Sequence, residues 1–227
     1  MDVDFSPYFK KYETLIKTTD DIFMRVKNDY PECVKCTSGC DDCCYAMFDL
    51  TLIEALYLNN KFKAVFEAQD RVIIEERANR ADRIIHKIKR SAFNKLEKGS
   101  SEAEILSELA LQHVRCPLLN DNKMCEMYAF RPATCRLYGI PTAINGRGYT
   151  CGKSGFEPGG TYPTVNMDQL FSRLQQISAE LIFDIKSRYV KLADMLVPLS
   201  MALLTDYTEE YLGINDGHKA GDFRIIR

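Results

Sequence analysis

The sequence predicts a mainly α protein, with helices around an irregular, cysteine-rich metal-binding centre that carries one small β-hairpin. Three observations predict it. Apolar residues recur at helical spacing before residue 30, between 52 and 113, and after 166. Two helical stretches of the middle segment open on a hydroxyl residue three places before a glutamate, the pattern of a capping box. All nine cysteines fall between residues 33 and 151, five of them within 33–44. The expected organisation is a single domain, 1–227. Its cysteine core, 33–151, is flanked by an N-terminal helix over 6–29 and C-terminal helices over 166–212.

In chain order, residues 6–29 begin with Ser6 as a cap and Pro7 in the first turn. Phe9, Tyr12, Ile16, Ile22, Phe23 and Val26 give the segment a helical stripe, which Asp29-Tyr30-Pro31 ends. After the first cysteine run, Thr51-Leu52-Ile53-Glu54 starts a second helix. Residues 61–98 read as one long helix or two shorter ones, broken at Lys98-Gly99-Ser100. Ser101 to Glu104 caps a helix running to about residue 113. Residues 114–160 hold seven of the twelve glycines and read as loops, with a short helix near 126–131. Asn145-Gly146 between two short runs marks a hairpin turn. From Asn166 a long apolar stripe returns through Leu192, and Pro198 should kink or restart it. Residues 213–227 are polar and expected to fray.

Apolar residues make up 46% of the 227, charged residues 27%, and the formal net charge is -2, values ordinary for a globular protein with a sizeable core. The near-neutral balance argues against nucleic-acid binding, which needs a basic face. The start, Met1 to Phe5, has no basic or apolar leader pattern, and no run is long and apolar enough to span a membrane. A cytoplasmic location follows as the expectation, where thiols stay reduced and crowded cysteines point to metal ligation rather than disulfides.

The first cluster reads Cys33-x2-Cys36-x3-Cys40-x2-Cys43-Cys44, and Cys116, Cys125, Cys135 and Cys151 follow at wider spacing. Soft thiolates suit zinc or iron–sulfur rather than magnesium or calcium. Adjacent side chains diverge, so Cys43 and Cys44 serve two metals more naturally than one, or one ligates while the other packs. Cys33, Cys36, Cys40 and Cys43 alone satisfy a tetrahedral zinc and leave five thiols unexplained. Nine thiols suit one or two iron–sulfur clusters, most simply [4Fe-4S], with zinc as the alternative. A four-thiolate cluster is anionic, and Arg115, Arg131 and Arg136 flank the later cysteines as candidates to offset that charge and bind the cofactor.

Cys40, Cys43 and Cys44, then Leu50-Thr51 and Glu54, then Arg115-Cys116-Pro117-Leu118-Leu119, Cys125, Tyr128, and Arg131-Pro132-x2-Cys135-Arg136 together resemble the YkgJ-type cysteine-cluster family, described as zinc- or iron-chelating. The likeness covers roughly residues 33–140. It implies metal binding at Cys40, Cys43, Cys44, Cys116, Cys125 and Cys135, with Cys33, Cys36 and Cys151 outside the common pattern.

The functional expectation is an iron–sulfur protein in electron transfer, redox sensing or support of an enzyme, working with a redox or protein partner. Its alternatives are a structural zinc protein and a metalloenzyme with an open cluster site. Gly152-Lys153-Ser154 lacks the earlier glycine of a P-loop, since position 147 is Arg147. His113 reads as a helix-end residue rather than a ligand. Met195, Leu196, Val197, Met201, Leu203 and Leu204 read as core, with a homodimer or partner interface as the alternative.

Overall fold

The run Leu52–Asn59 is apolar on nearly every side of a helix, and such a helix must be buried. In the computed structural model, which describes residues 3–157 and 159–214, this segment is the first half of α2 (Leu52–Val65), and every residue from Thr51 to Asn59 is buried. Leu52, Ile53, Leu56 and Tyr57 feed one hydrophobic cluster, while Ala55, Leu58 and Phe62 feed another. The first is closed by α1 (Ser6–Asp29), α5 (Ala133–Leu137) and α6 (Met167–Asp184), through Tyr12, Ile16, Leu137, Leu174 and Leu181. The second is closed by α3 (Ala68–Glu97) and α7 (Leu199–Leu204), through Ile74, Ala78 and Leu203, and by Leu118 and Met127 of the cysteine-bearing loops. A short α4 (Glu102–Ala110) packs on the outer part of α3. The described residues are mainly helical, as the patterning predicts.

Local signals place most boundaries. The capping boxes at Thr51 and Ser101 both form. The stretch 61–98 is divided, because α2 stops at Val65 and α3 begins at Ala68. α4 is shorter than expected, ending at Ala110. Ser6 does not cap α1. It is the first helical residue, and the Asp4 carboxylate accepts from its amide at 2.9 Å. The apolar stripe of α6 runs to Leu192, but the helix ends at Asp184, and Lys186 takes a φ of +52° just beyond it. Pro198 caps α7 and so restarts the helical path. Of the residues expected to fray, Gly213 is buried and its carbonyl accepts from the Arg188 amide. Residues 215–227 lie outside the described residues.

The expected hairpin is β2 (Thr142–Ile144) with β3 (Arg147–Tyr149), and Asn145 and Gly146 both take positive φ in its turn. Two further strands accompany it. β1 (Asp49–Thr51) pairs antiparallel with β5 (Leu196–Pro198), and β4 (Val165–Asn166) lies parallel to β2. Val197 and Leu203 lie in the core, whereas Leu196 and Met201 face outward. No helix among the described residues is long and apolar enough to cross a membrane.

Polar groups fix the position of α2. The Ser178 hydroxyl of α6 accepts from the Ile53 amide at 3.1 Å, satisfying one of the donors left open at a helix start. At the other end Asn59 donates to the carbonyls of Ala202 and Thr205 at the close of α7. Glu54, itself buried, accepts from the amide and hydroxyl of Thr51 and, with its other oxygen, from the Ala133 amide at 3.1 Å. One carboxylate therefore caps α2 and anchors the first residue of α5.

Both Glu54 oxygens face only donors, so Glu54→Gln turns an amide NH2 against another N–H. It is expected to lower unfolding free energy by about 1–3 kcal/mol, read by denaturant titration. Burial raises the folded-state pKa of Glu54. The wild-type contribution is thus full below the ordinary carboxylate range and shrinks as pH rises through the raised value. The deficit of the Gln variant should narrow towards alkaline pH.

Candidate metal centre

The thiols sit on backbone that is mostly loop. After α1, residues 30–34 turn back so that the Tyr30 carbonyl accepts from Cys33 and Val34. Asp42–Cys44 makes a single 3-10 turn. The following residues run antiparallel to 113–116: the Cys44 carbonyl accepts from the Cys116 amide at 2.7 Å, Tyr45 from Val114, and Ala46 bridges His113. This short ladder sets Cys116 beside the Cys43-Cys44 pair, and it leaves His113 exposed in a backbone role. The chain then folds on itself, Leu119 bridging Cys125, with Lys123 at a φ of +58° in the turn. Cys135 comes in on α5, which Glu54 holds.

Five thiols, those of Cys43, Cys44, Cys116, Cys125 and Cys135, gather within electrostatic reach of one another. Cys43 and Cys44 share a hydrogen bond, which lowers the Cys43 pKa to about 7 and raises that of Cys44. Burial pushes the Cys116 thiol up to about 12, and raises Cys125 and, further, Cys135. Against burial, the Leu118 amide is hydrogen-bonded to the Cys116 sulfur and the Met127 amide to Cys125. Each is two residues beyond its cysteine, and an N–H aimed at sulfur favours the thiolate a metal needs.

Cys36, Cys40 and Cys151 line an open cavity of about 450 Å3, and Cys36 is still within electrostatic reach of Cys43 and Arg131. The Cys36 thiol donates to the Tyr138 carbonyl at 3.5 Å, and burial pushes its pKa up to about 11. The Cys151 thiol donates to Asp42 at 3.3 Å and accepts from the Lys153 amide at 3.4 Å. Gly152-Lys153-Ser154 is a tight turn, Ser154 donating back to the Cys151 carbonyl. Cys33 packs against the first hydrophobic cluster, and its carbonyl accepts from Gly155. All nine cysteines are free thiols, each partly exposed.

The three flanking arginines differ in what they touch. Arg115 binds the carbonyls of Leu119 and Asn120 and the Asp121 carboxylate, closing the loop after Cys116. Arg136 makes two bonds to Asp20 of α1, at 2.7 and 2.9 Å, and others to the carbonyls of Ala129 and Arg131. Both guanidinium groups are engaged with carbonyl and carboxylate oxygens. Arg131 donates to Tyr128 and stacks on its ring at 3.7 Å, and its charge lowers the pKa of Cys43, Cys125 and Cys135 against the effect of burial. Sequence reasoning missed Arg77, which clasps the Leu119 carbonyl and Glu126 and favours the Cys116 thiolate. It also missed Asp42, Tyr138 and Lys153. Their positions next to Cys43 and two residues after Cys151 were a usable signal for Asp42 and Lys153.

The donor set is thiolate-rich and suits a thiophilic metal. Among the described residues no three His, Cys, Asp or Glu side chains already stand where one ion could be held. The protonated thiols instead bond to one another, to a carbonyl and to a carboxylate. Binding a metal therefore requires losing those protons and turning the side chains between rotamers. A family model described as CxxCxxCC, a "putative zinc- or iron-chelating domain", matches residues 35–152, just over half of the 227 residues. No curated protein and no solved structure matches the chain significantly.

Because raised thiol pKa values keep most of these groups protonated near neutrality, metal uptake should release about one proton per thiolate ligand. Affinity should then rise steeply between about pH 6 and 8. Calorimetric titration in two buffers of different ionisation enthalpy checks this, and uptake without proton release would contradict it.

Proposed function

Because the chain belongs to the zinc- or iron-chelating CxxCxxCC family, and so is a metal-binding protein, we propose that Cys43, Cys44, Cys116, Cys125 and Cys135 hold an iron–sulfur centre of the [4Fe-4S] type. The centre serves electron transfer or redox sensing in a reducing, cytoplasmic setting. One observation carries this reading: five partly buried thiols from three chain segments share one electrostatic neighbourhood. A [4Fe-4S] cluster takes four cysteines, one per iron, so four of these five ligate and the fifth packs beside them. The adjacent Cys43 and Cys44 thiols, expected from the sequence to diverge, instead lie within hydrogen-bond reach of each other, and a cluster offers each of them its own iron. Arg131 adds a positive charge close to where an anionic cluster needs one.

A structural zinc is the second reading. The loop between Cys116 and Cys125 has no helix or strand of its own, and a staple there would stabilise it. Anaerobic purification followed by elemental analysis and a visible spectrum separates the two. The iron–sulfur reading expects a brown protein with iron and acid-labile sulfide in comparable amounts, lost in Cys135→Ser. A colourless protein with stoichiometric zinc would overturn it. If the centre is iron–sulfur, Arg131→Gln removes a nearby positive charge. The midpoint potential should fall by roughly tens of millivolts with the cluster retained, since cluster potential follows local charge. Redox titration followed in the visible spectrum reads the change.

A further inference from the structure

The solvent side of α3 carries a stripe of cations that the metal centre does not use. Arg80, Arg83, Lys87 and Arg90 are all exposed, and their spacing of three, four and three residues puts them on one face of the helix. None of these four side chains makes a hydrogen bond or ion pair to any described residue. Other charges of the same stretch are occupied. Lys89 pairs with Asp49, Lys95 with Glu108, and Asp82 accepts from Ser200 of α7. Like charges three or four residues apart on a helix repel and destabilise it. Arg80 with Arg83, Arg83 with Lys87, and Lys87 with Arg90 are three such pairs in a row. The chain as a whole has a formal charge of -2, while residues 80–98 hold seven Lys and Arg against two Asp and Glu. A solvated helix face commonly alternates its charges, whereas this one concentrates a single sign.

We propose that this face of α3 docks a compact acidic surface of a partner protein, whose carboxylates meet Arg80, Arg83, Lys87 and Arg90. Three of the four are guanidinium groups, which take carboxylates bidentately. The stripe is short, since ten residues of helix rise about 15 Å. Carboxylates stand at both of its ends, Glu75 and Glu76 before it and Glu97, Glu102 and Glu104 after it. Glu76 lies one turn before Arg80, and no ion pair joins them. A long polyanion, such as a nucleic acid or an anionic membrane, would run into those carboxylates. A protein element with a few carboxylates of its own fits between them. The stripe is also close to the thiol-bearing backbone. Arg77, three residues before Arg80, binds the Leu119 carbonyl and the Glu126 carboxylate, on either side of the turn that ends at Cys125. A partner seated on the stripe covers the helix that holds this loop, whichever metal the centre takes.

The test uses the full chain, purified without oxygen, with labelled helical peptides as probes. One peptide carries Glu at the stripe's own spacing, which reads the same in either chain direction. A second has the same composition with its Glu spread around the helix. By fluorescence anisotropy at low salt the matched peptide should bind about fivefold more tightly than the scrambled one, and raised salt should weaken it. Arg83→Glu should cut that affinity about five- to tenfold. Lys17→Glu makes the same change of charge at an exposed position of α1 and should leave the affinity within about twofold. The free protein supplies a second readout. Because the stripe repels itself, Arg83→Gln should raise the melting temperature by about 1–3 °C while weakening peptide binding. Equal binding of the two peptides overturns the proposal, as does equal loss in Arg83→Glu and Lys17→Glu. A lowered melting temperature in Arg83→Gln would make the stripe a support of the fold, and the proposal fails. It fails too if oligothymidylate or anionic lipid vesicles bind more tightly than the matched peptide and lose that advantage in Arg83→Glu, because the stripe then takes a polyanion.

Discussion

The Glu54 carboxylate joins two parts of the fold that carry thiols on either side of it. One oxygen closes the start of α2, directly after the strand that follows Cys43 and Cys44. The other holds the first amide of α5, on which Cys135 rides. Both oxygens accept, one from the Thr51 amide and hydroxyl and the other from the Ala133 amide. The separation between the first thiol loop and the helix bearing Cys135 is thus set by a buried group rather than by the flexible loops themselves.

Around that strut the molecule uses arginine as a fastener. Arg136 ties α5 to α1 through Asp20, Arg115 closes the loop before Cys125, and Arg77 binds the same loop to α3. Each satisfies carbonyl groups that irregular backbone would otherwise leave open. A chain segment with little helix or strand is held in place by side chains reaching in from helices. The thiols are therefore presented from a framework that does not depend on the loops having regular structure of their own.

Much of this was legible in the sequence where the cause was local. Thr51 and Ser101 announce their helices because a capping box involves four consecutive residues. Asn145-Gly146 announces its turn for the same reason. The five-cysteine run and the arginine–cysteine motifs point to a thiol-rich centre without any knowledge of the fold. What depended on distant partners was not legible. The ladder of Asp49–Thr51 with Leu196–Pro198 is three residues long and joins segments far apart, so neither strand has a pattern of its own. Arg136 looked like a charge for the cofactor because Asp20, its partner, lies on another helix. The placing of Cys116 beside Cys43 and Cys44 depends on how residues 113–116 run beside 44–46, and spacing alone does not encode that pairing.

The burial of α2 has a consequence for the order of events in biosynthesis. Ser178 on α6 completes its first turn, the end of α7 holds Asn59, and β5 pairs with the strand before it. All of these are translated after the last cysteine. While the ribosome is still making them, every thiol from Cys33 to Cys151 has been synthesised on a chain whose central helix has only part of its packing, from α1, α3 and α5. Ligands that emerge before their scaffold are exposed to whatever metal is most available. The finished geometry, and with it any preference among metals, arises only after α6 and α7 have folded back.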